Sequence, residues 1–363
     1  MASVSTGHTL LGVQYLRAIA ALMVVWYHLI VQIPEYTPFL DFHTILDSRS
    51  LGAGVHVFFV ISGFIMTATT QRILPGHFAA RRVIRIVPLY WLLTAAVVGF
   101  SYLHFFQSTL VTRELIWKSL LFVPYVASSG RVEPLLTPGW TLNVEMVFYA
   151  AFTAALYLSR QHRILIVTFC FIGLVFAGLT LSGPEDGPFL WLMTRAWMLE
   201  FCTGMLIGHF YLHEALSAPK WACVALTVGG FGLLLSSWLV STDESRPYVL
   251  PATFIVLGVV AFEMRAGIAL RRFPMLLGNA SYSIYLSHTF VLGFSSVLWK
   301  SAGLMIADSI HAVMFAIVSF VTVVGASVLL YWWVEAPLLK VLSRRLESTS
   351  GRIRMLRNRT GMP

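Results

Sequence analysis

QYLRAIAALMVVWYHLIVQI, residues 14–33, is a run of mostly apolar side chains with few polar interruptions. A helix of about 20 such residues is long enough to cross the hydrocarbon core of a bilayer. Similar runs recur along the chain, and their length predicts an all-α membrane protein with about ten transmembrane helices. The predicted spans are 14–33, 51–70, 86–106, 140–159, 164–182, 189–210, 221–240, 248–264, 279–298 and 309–334.

The composition agrees with this interpretation and excludes other classes of protein. Apolar residues make up 58% of the 363 residues, charged residues make up 11%, and the mean hydropathy is +0.78. A soluble enzyme could not cover its surface with so few charges, and a transmembrane β-barrel would show alternation over about 10 residues. The three cysteines lie in apolar runs without metal-ligand spacing, so we predict no metal site.

The basic residues that give the net charge of +9 are distributed unevenly. Eighteen of the 25 Lys and Arg fall on one side of the predicted spans. Because cytoplasmic segments carry the excess of basic residues, both termini are predicted to be cytoplasmic. We divide the chain into a single transmembrane domain at 1–340 and a basic cytoplasmic tail at 341–363. We expect this tail to lie near anionic lipid rather than to bind nucleic acid.

Three ionisable side chains within the spans are predicted to reach the outer half of the membrane. Such groups are costly at that depth, which makes them functional candidates. His28 lies about 18 Å along the first helix, and Glu145 lies about 8 Å below the outer end of its own span. His56 lies at a similar level in the second span. The three groups either form one site or make three separate hydrogen bonds between helices.

Arg82 and Arg85 lie three residues apart in RRVIRIVPLYW, residues 81–91, at the cytoplasmic end of the third predicted span. This spacing puts both on one helical face, where two guanidinium groups can bind phosphate oxygens. Alternatively, the two arginines only set the orientation of the protein in the membrane, which requires positive charge but no particular spacing. On composition alone, this orientation role is the better interpretation.

Other ionisable residues lie inside later spans. Arg195 and Glu200 share the sixth span, but their angular separation is too large for a same-face pair, so each is expected to bond to a neighbouring helix. His288 lies in the inner half of the ninth span, and Glu335 lies at the inner end of the tenth. A lone histidine is more often a packing group than a catalytic one, and we interpret His288 first in that way.

Seven motifs, in this order and with this spacing, resemble the acyltransferase-3 family of integral membrane acyltransferases over about residues 10–340. They are YLRAIAALMVVWYH (15–28), GVHVFFVISGFIM (54–66), RRVIRIVPLYW (81–91), GWTLNVEMVFY (139–149), RAWMLEFCTG (195–204), LGNASYSIYLSHTFV (277–291) and VEAP (334–337). The sixth motif contains Ser281, Tyr282 and His288, which we keep as further site candidates. Within the family, the chain length is similar to that of the bacterial exopolysaccharide O-acetyltransferases.

The resemblance implies an enzyme with an acyl-CoA donor and a carbohydrate acceptor. The donor would be acetyl-CoA entering from the cytoplasm, and the acceptor a polysaccharide hydroxyl or a lipid-linked sugar. The protein would be a multi-pass protein of the bacterial inner membrane. The resemblance implies that His28 is catalytic, that Arg82 and Arg85 bind acyl-CoA, and that Glu145 is important in the active site. His56 departs from the family pattern, which often has an acidic residue there.

The chemistry implied for this enzyme is removal of a proton from a sugar hydroxyl that attacks a thioester. Such general-base catalysis typically contributes about 10²- to 10⁴-fold, and an imidazole suits it. We therefore predict His28 as the general base, with Glu145 orienting its ring as a carboxylate does in a catalytic triad.

Two other functions remain open from the sequence. One is a secondary transporter or flippase, although we find no inverted repeat in the chain. The other is a non-catalytic subunit of a polysaccharide export assembly, which would tolerate the loss of His28. The sequence makes no prediction of the sugar, the hydroxyl, the acyl group or the oligomeric state.

Overall fold

The computed structural model describes residues 10–32, 49–71, 73–103, 111–180, 183–236, 248–304 and 309–360. Parts of the predicted spans and the last three residues of the predicted tail lie outside these ranges. The helices are α1 Leu11–Gln32, α2 Arg49–Gly52, α3 Gly54–Thr69, α4 Pro75–Tyr102, α5 Arg113–Leu120, α6 Trp140–Leu158, α7 Arg163–Gly178, α8 Pro188–Met193, α9 Trp197–Leu212, α10 Lys220–Ser236, α11 Val249–Ala266, α12 Arg272–Asn279, α13 Ser281–Ser301, α14 Ser309–Leu330 and α15 Ala336–Thr360.

The described part of the chain is helical and contains no β-strand, so the prediction of an all-α protein is confirmed. Five helical segments in it are long and apolar enough to cross a membrane: Leu11–Val31, Pro75–Tyr102, Thr137–Leu158, Val249–Ala266 and Ile310–Ser348. Gly54–Thr69, Arg163–Gly178 and Lys220–Ser236 are shorter apolar helices. The number of ten spans and the cytoplasmic side of both termini stay predictions.

Two helix boundaries differ from the predicted spans in ways that matter for the site. The third span was predicted from residue 86, whereas α4 begins at Pro75. Its first residues are more polar, but Pro at the start of a helix is well tolerated. The sixth span is broken, because a turn over residues 194–196 separates α8 from α9. The apolar content of residues 189–210 predicted a membrane span, but it did not predict that a turn interrupts the helix.

Glycines allow α3 and α9 to pack unusually closely. A Cβ atom at Gly63 would lie 2.1 Å from the carbonyl oxygen of Phe201, and one at Gly204 would lie 2.0 Å from that of Val60. Helices in membranes associate through small residues that bring their backbones together. This seam fixes the position of α3, which carries His56 and Ser62 towards the interior.

Helix α1 packs against α3, α11, α12, α13 and α14, so its polar residues face other helices rather than lipid alone. The carboxylate of Glu263 on α11 accepts hydrogen bonds from the backbone N–H groups of Leu11, at 2.7 Å, and Gly12, at 2.9 Å. A negative charge at a helix N-terminus is stabilising. The start of α1 is therefore anchored, and the positions of Arg17 and His28 follow from it.

A short π-helix, Tyr331–Glu335, joins α14 to α15. Such wide turns inside helices occur frequently at functional sites. Here the turn ends at Glu335, whose side chain is only 1% exposed. The predicted basic tail continues as helix α15, which packs against α4.

Candidate active site

A partly enclosed cavity of about 120 Å³ lies among α1, α3, α4, α6 and α13. A space of this size can hold several water molecules or a slender ligand. Its polar lining consists of Arg17, Ser62, Arg82, Arg85, Thr141, Glu145, Tyr149, Ser281, Tyr282 and Tyr285. Five of the residues selected from the sequence, Arg82, Arg85, Glu145, Ser281 and Tyr282, are therefore brought together at one cavity.

The two arginines of α4 are held differently from each other. Arg85 forms an ion pair with Glu335, with 3.0 Å between Nη1 and Oε1, and its guanidinium lies over the ring of Tyr282. Arg82 packs over the rings of Phe78 and Tyr149 at 5.7 and 5.8 Å. The Nε atom of Arg82 is buried and has no hydrogen-bond partner in the described residues. A buried donor of this kind is costly, so Arg82 has capacity for an anionic ligand.

Glu145 is held in the cavity by two hydroxyl groups. Its Oε1 atom accepts a hydrogen bond from Ser62 on α3 at 2.6 Å and a second one from Tyr149, one turn further along α6. Arg17 lines the same cavity from α1. Three guanidinium groups, of Arg17, Arg82 and Arg85, thus meet two carboxylates, of Glu145 and Glu335. The balance leaves one positive charge in excess.

A second space of about 340 Å³ lies between the beginning of α4 and the tail helix α15. We call it the α4–α15 groove; it is lined by Arg81, Arg82, Ile84, Arg85, Leu339, Ser343, Leu346 and Glu347. Arg82 and Arg85 line both this groove and the inner cavity. The arginines therefore lie between the two spaces, within helix α4, where their spacing of three residues puts both on one helical face as predicted.

His28 forms a pair with His288. The Nδ1 atom of His28 lies 3.2 Å from Nε2 of His288 and 3.0 Å from the carbonyl oxygen of Val24. The Nδ1 atom of His288 lies 2.5 Å from the carbonyl oxygen of Tyr285. The expected hydrogen bond between His28 and Glu145 is absent from the described residues, because each has other partners. Matched depth along two helices did not specify which faces meet.

The inner-half placement of His288 stays a prediction, but the structure brings this residue next to His28, which was predicted to lie in the outer half of the membrane. Counting residues along straight helices put His288 deeper, yet the two rings lie 4.7 Å apart between centroids. Residue counts along each span do not specify which positions on two neighbouring helices lie side by side, so the sequence did not predict this pair. Tyr285 links the two regions: it lines the cavity, and its ring packs 5.9 Å from that of His288.

His56 and Glu200 form a third polar pair, away from the cavity lining. Their Nδ1 and Oε1 atoms are 2.7 Å apart, and the ring of His56 stacks on that of Tyr248 at 4.4 Å. Glu200 thus bonds to a neighbouring helix as expected. His28, Glu145 and His56 make three separate contacts, which is the second of the two alternatives left open by the sequence.

Arg195 lies in the turn between α8 and α9 and does not line the cavity. Its Nε atom donates a hydrogen bond to the carbonyl oxygen of Trp191 at 3.2 Å, and its guanidinium lies 4.5 Å above the ring of Trp191. These contacts stabilise the turn between α8 and α9 and do not contribute to the cavity.

Sequence reasoning missed the other five polar residues of the cavity, Arg17, Ser62, Thr141, Tyr149 and Tyr285. Arg17 was counted as an orientation charge, although a signal was present: 11 residues separate it from His28, which is close to three helical turns, so both lie on one face of α1. Tyr149 lies four residues after Glu145 on one face of α6. Ser62 gave no signal, because its meeting with Glu145 depends on how α3 packs against α6.

Comparison with known proteins gives two matches. A family model described as an acyltransferase domain matches residues 10–332. The exopolysaccharide production protein ExoZ of Rhizobium meliloti (strain 1021) is 41% identical over 293 residues, which cover 79% of this chain and 89% of that protein. No solved structure matches the chain.

Proposed function

This chain belongs to the acyltransferase-3 family, as the seven motifs indicated, and from that premise we propose that it transfers an acetyl group from acetyl-CoA to a polysaccharide hydroxyl. The acceptor would be a cell-surface or exported polysaccharide or its lipid-linked precursor. The name of the relative, an exopolysaccharide production protein, supports this acceptor class. The observation that carries the proposal is the position of Arg82 and Arg85, which line both the α4–α15 groove and the inner cavity.

The two spaces fit the two parts of an acyl-CoA. Its phosphates cannot enter hydrocarbon cheaply, and they match the basic groove, which is lined by Arg81, Arg82 and Arg85. The slender pantetheine arm would pass the arginines into the cavity, whose walls are mostly apolar and aromatic. In this proposal the unsatisfied Nε–H of Arg82 donates to the donor molecule.

His28 is the proposed general base. The carbonyl oxygen of Val24 can only accept a hydrogen bond, so the Nδ1 atom of His28 carries a proton. In the neutral ring, Nε2 then has a free lone pair. This nitrogen takes the proton of the sugar hydroxyl while the oxygen attacks the thioester carbonyl carbon and a C–O bond forms. The C–S bond breaks, and the protonated ring gives its proton to the leaving thiolate, which yields CoA and an acetyl ester.

Glu145 takes a different part in this proposal from the one predicted. With Ser62 and Tyr149 bound to it, its carboxylate lies in the donor cavity and partly balances the three guanidinium groups. His28 does not line that cavity. Transfer therefore requires a side-chain movement, and Tyr285, which contacts both regions, is the residue whose rotation would join them.

We further propose the bacterial inner membrane as the location, with the groove and the tail helix on the cytoplasmic side. The excess of basic residues on that side supports this orientation. Acetyl-CoA is a cytoplasmic metabolite, so the groove that holds its phosphates belongs on the same side.

The test uses the purified full-length protein, acetyl-CoA labelled with ¹⁴C in the acetyl group, and polysaccharide from which mild alkali has removed the esters. We expect label in the polysaccharide together with an equal amount of free CoA. A transporter or flippase would move the polysaccharide without labelling it. A non-catalytic subunit would give no transfer, and export would continue with His28→Ala. Either result would overturn the proposal.

A further inference from the structure

We propose that His288 is a positioning residue that holds and orients His28, in the place predicted for Glu145. The inference rests on the proposed function, in which His28 is the base. It comes from a chain of contacts between α1 and α13, where two imidazole rings and two backbone carbonyl groups meet.

The contacts allow only one arrangement of protons when both rings are neutral. The carbonyl oxygen of Tyr285 accepts only, so Nδ1 of His288 carries a proton and its Nε2 carries a lone pair. That lone pair faces Nδ1 of His28, which must therefore be the donor. The carbonyl of Val24 independently requires the same proton on Nδ1 of His28. All three contacts thus leave Nε2 of His28 unprotonated, as a base requires.

His288 also supplies what a developing imidazolium needs. When His28 takes a proton on Nε2, its Nδ1–H becomes a charged donor, and hydrogen bonds from charged groups are roughly twice as strong as neutral ones. His288 accepts this bond in the way that the carboxylate of a catalytic triad does. The chain of contacts ends at the Tyr285 carbonyl, which cannot take a proton, so the positive charge stays on the two rings.

The burial of the site favours a neutral partner over a carboxylate. His288 is 0% exposed, and an ionised group at that position would lose its hydration without compensation. Glu145, the partner first expected, is held by Ser62 and Tyr149 in the cavity. Glu145 and the histidine pair therefore have separate hydrogen-bond partners, and His28 needs no carboxylate to orient its ring.

The first experiment separates positioning from packing by kinetics on purified protein with labelled acetyl-CoA. His288→Leu removes the acceptor, and we expect kcat to fall about 100-fold while KM for acetyl-CoA changes less than about twofold. His288→Gln retains an acceptor oxygen, and we expect kcat within about tenfold of the wild type. Ser287→Ala is the matched control, since Ser287 is buried beside His288 and bonds to Ser283 and Ser327; its kcat should not change. A full kcat in His288→Leu, or equal losses in the Leu and Gln variants, would overturn the proposal.

The second experiment does not need enzymatic activity. Solid-state NMR of ¹⁵N-histidine-labelled protein in lipid, assigned with His28→Ala and His288→Gln, reports which nitrogen of each ring is protonated. We expect Nδ1–H and bare Nε2 in both rings. A proton on Nε2 of neutral His28 would refute the pair as described. If the wild type transfers no acetyl group at all, the proposed function fails, whereas the NMR result still tests the pair.

Discussion

The arginine-lined cavity and the histidine pair lie close together but differ in almost every physical property. The cavity gathers three guanidinium groups and the Glu145 carboxylate around an open space, and two of its arginines also face the groove beside α15. In the histidine pair, His288 is buried and His28 is half-buried, and the contacts of the pair use imidazole and carbonyl groups. In the function we propose, this difference corresponds to a division of work, in which one region would bind an anionic donor and the other would move a proton.

The largest effect should come from the histidine region. We expect His28→Ala to lower kcat for acetyl transfer by about 10²- to 10⁴-fold, because general-base catalysis is lost. His209→Ala, which removes an exposed ring at the end of α9, is the control. Both variants should insert in the membrane at wild-type level. Wild-type activity in His28→Ala would remove the ring from the mechanism.

The arginine region should respond in KM instead. We expect Arg82→Gln to raise KM for acetyl-CoA about 10- to 100-fold with little change in kcat, since a hydrogen bond to a charged group contributes about 1.5–3 kcal/mol. Arg272→Gln, an exposed basic residue at the start of α12, is the matched control. An unchanged KM would reduce Arg82 to an orientation charge.

Arg85 is better tested in a double variant, Arg85→Gln together with Glu335→Gln, because this change leaves no buried charge unpaired. We again expect a raised KM for acetyl-CoA.

The buried ion pair behind the cavity should affect stability. Glu335→Gln removes the partner of Arg85, and we expect a loss of unfolding free energy on the order of 2 kcal/mol. This is below the ~3–5 kcal/mol typical of a fully buried pair, because Arg85 is 29% exposed. Thermal unfolding of the purified protein in detergent measures the change. An unaltered midpoint would show that the pair adds nothing to the stability of the cavity wall.

The exposed pair at the groove should have the smallest effect. Glu347 lies 3.8 Å from Arg81, and both side chains are largely exposed. Pairs of this kind contribute about 0.2–1 kcal/mol at most, so Glu347→Gln should leave the unfolding midpoint almost unchanged. A loss comparable to that of Glu335→Gln would contradict the distinction between the two pairs.

The sequence predicted the fold class and the family because both depend on local patterns. Apolar runs indicate membrane-spanning helices, and seven motifs in order identify the acyltransferase family. The same information predicted that Arg82, Arg85 and Glu145 matter, and the structure brings those three to one cavity. Their catalytic and binding roles stay predictions.

The pairing of side chains was not predictable in the same way. Spacing gives depth to within a turn or two, but the partner of a side chain depends on helix rotation and tilt, which hydropathy does not encode. For this reason Glu145 was matched with His28, although His28 meets His288 and Glu145 meets Ser62. The break between α8 and α9 was missed for a related reason, since residues 189–210 are apolar on both sides of the turn.

The most direct test of the two-region account is the sidedness of transfer. The protein is reconstituted in liposomes with alkali-treated polysaccharide inside, and protease access to the tail helix identifies molecules whose groove faces outward. Labelled acetyl-CoA is then added outside. The account predicts that the enclosed polysaccharide becomes labelled, and that His28→Ala abolishes the labelling. Label that appears only when donor and acceptor are on the same side would contradict it.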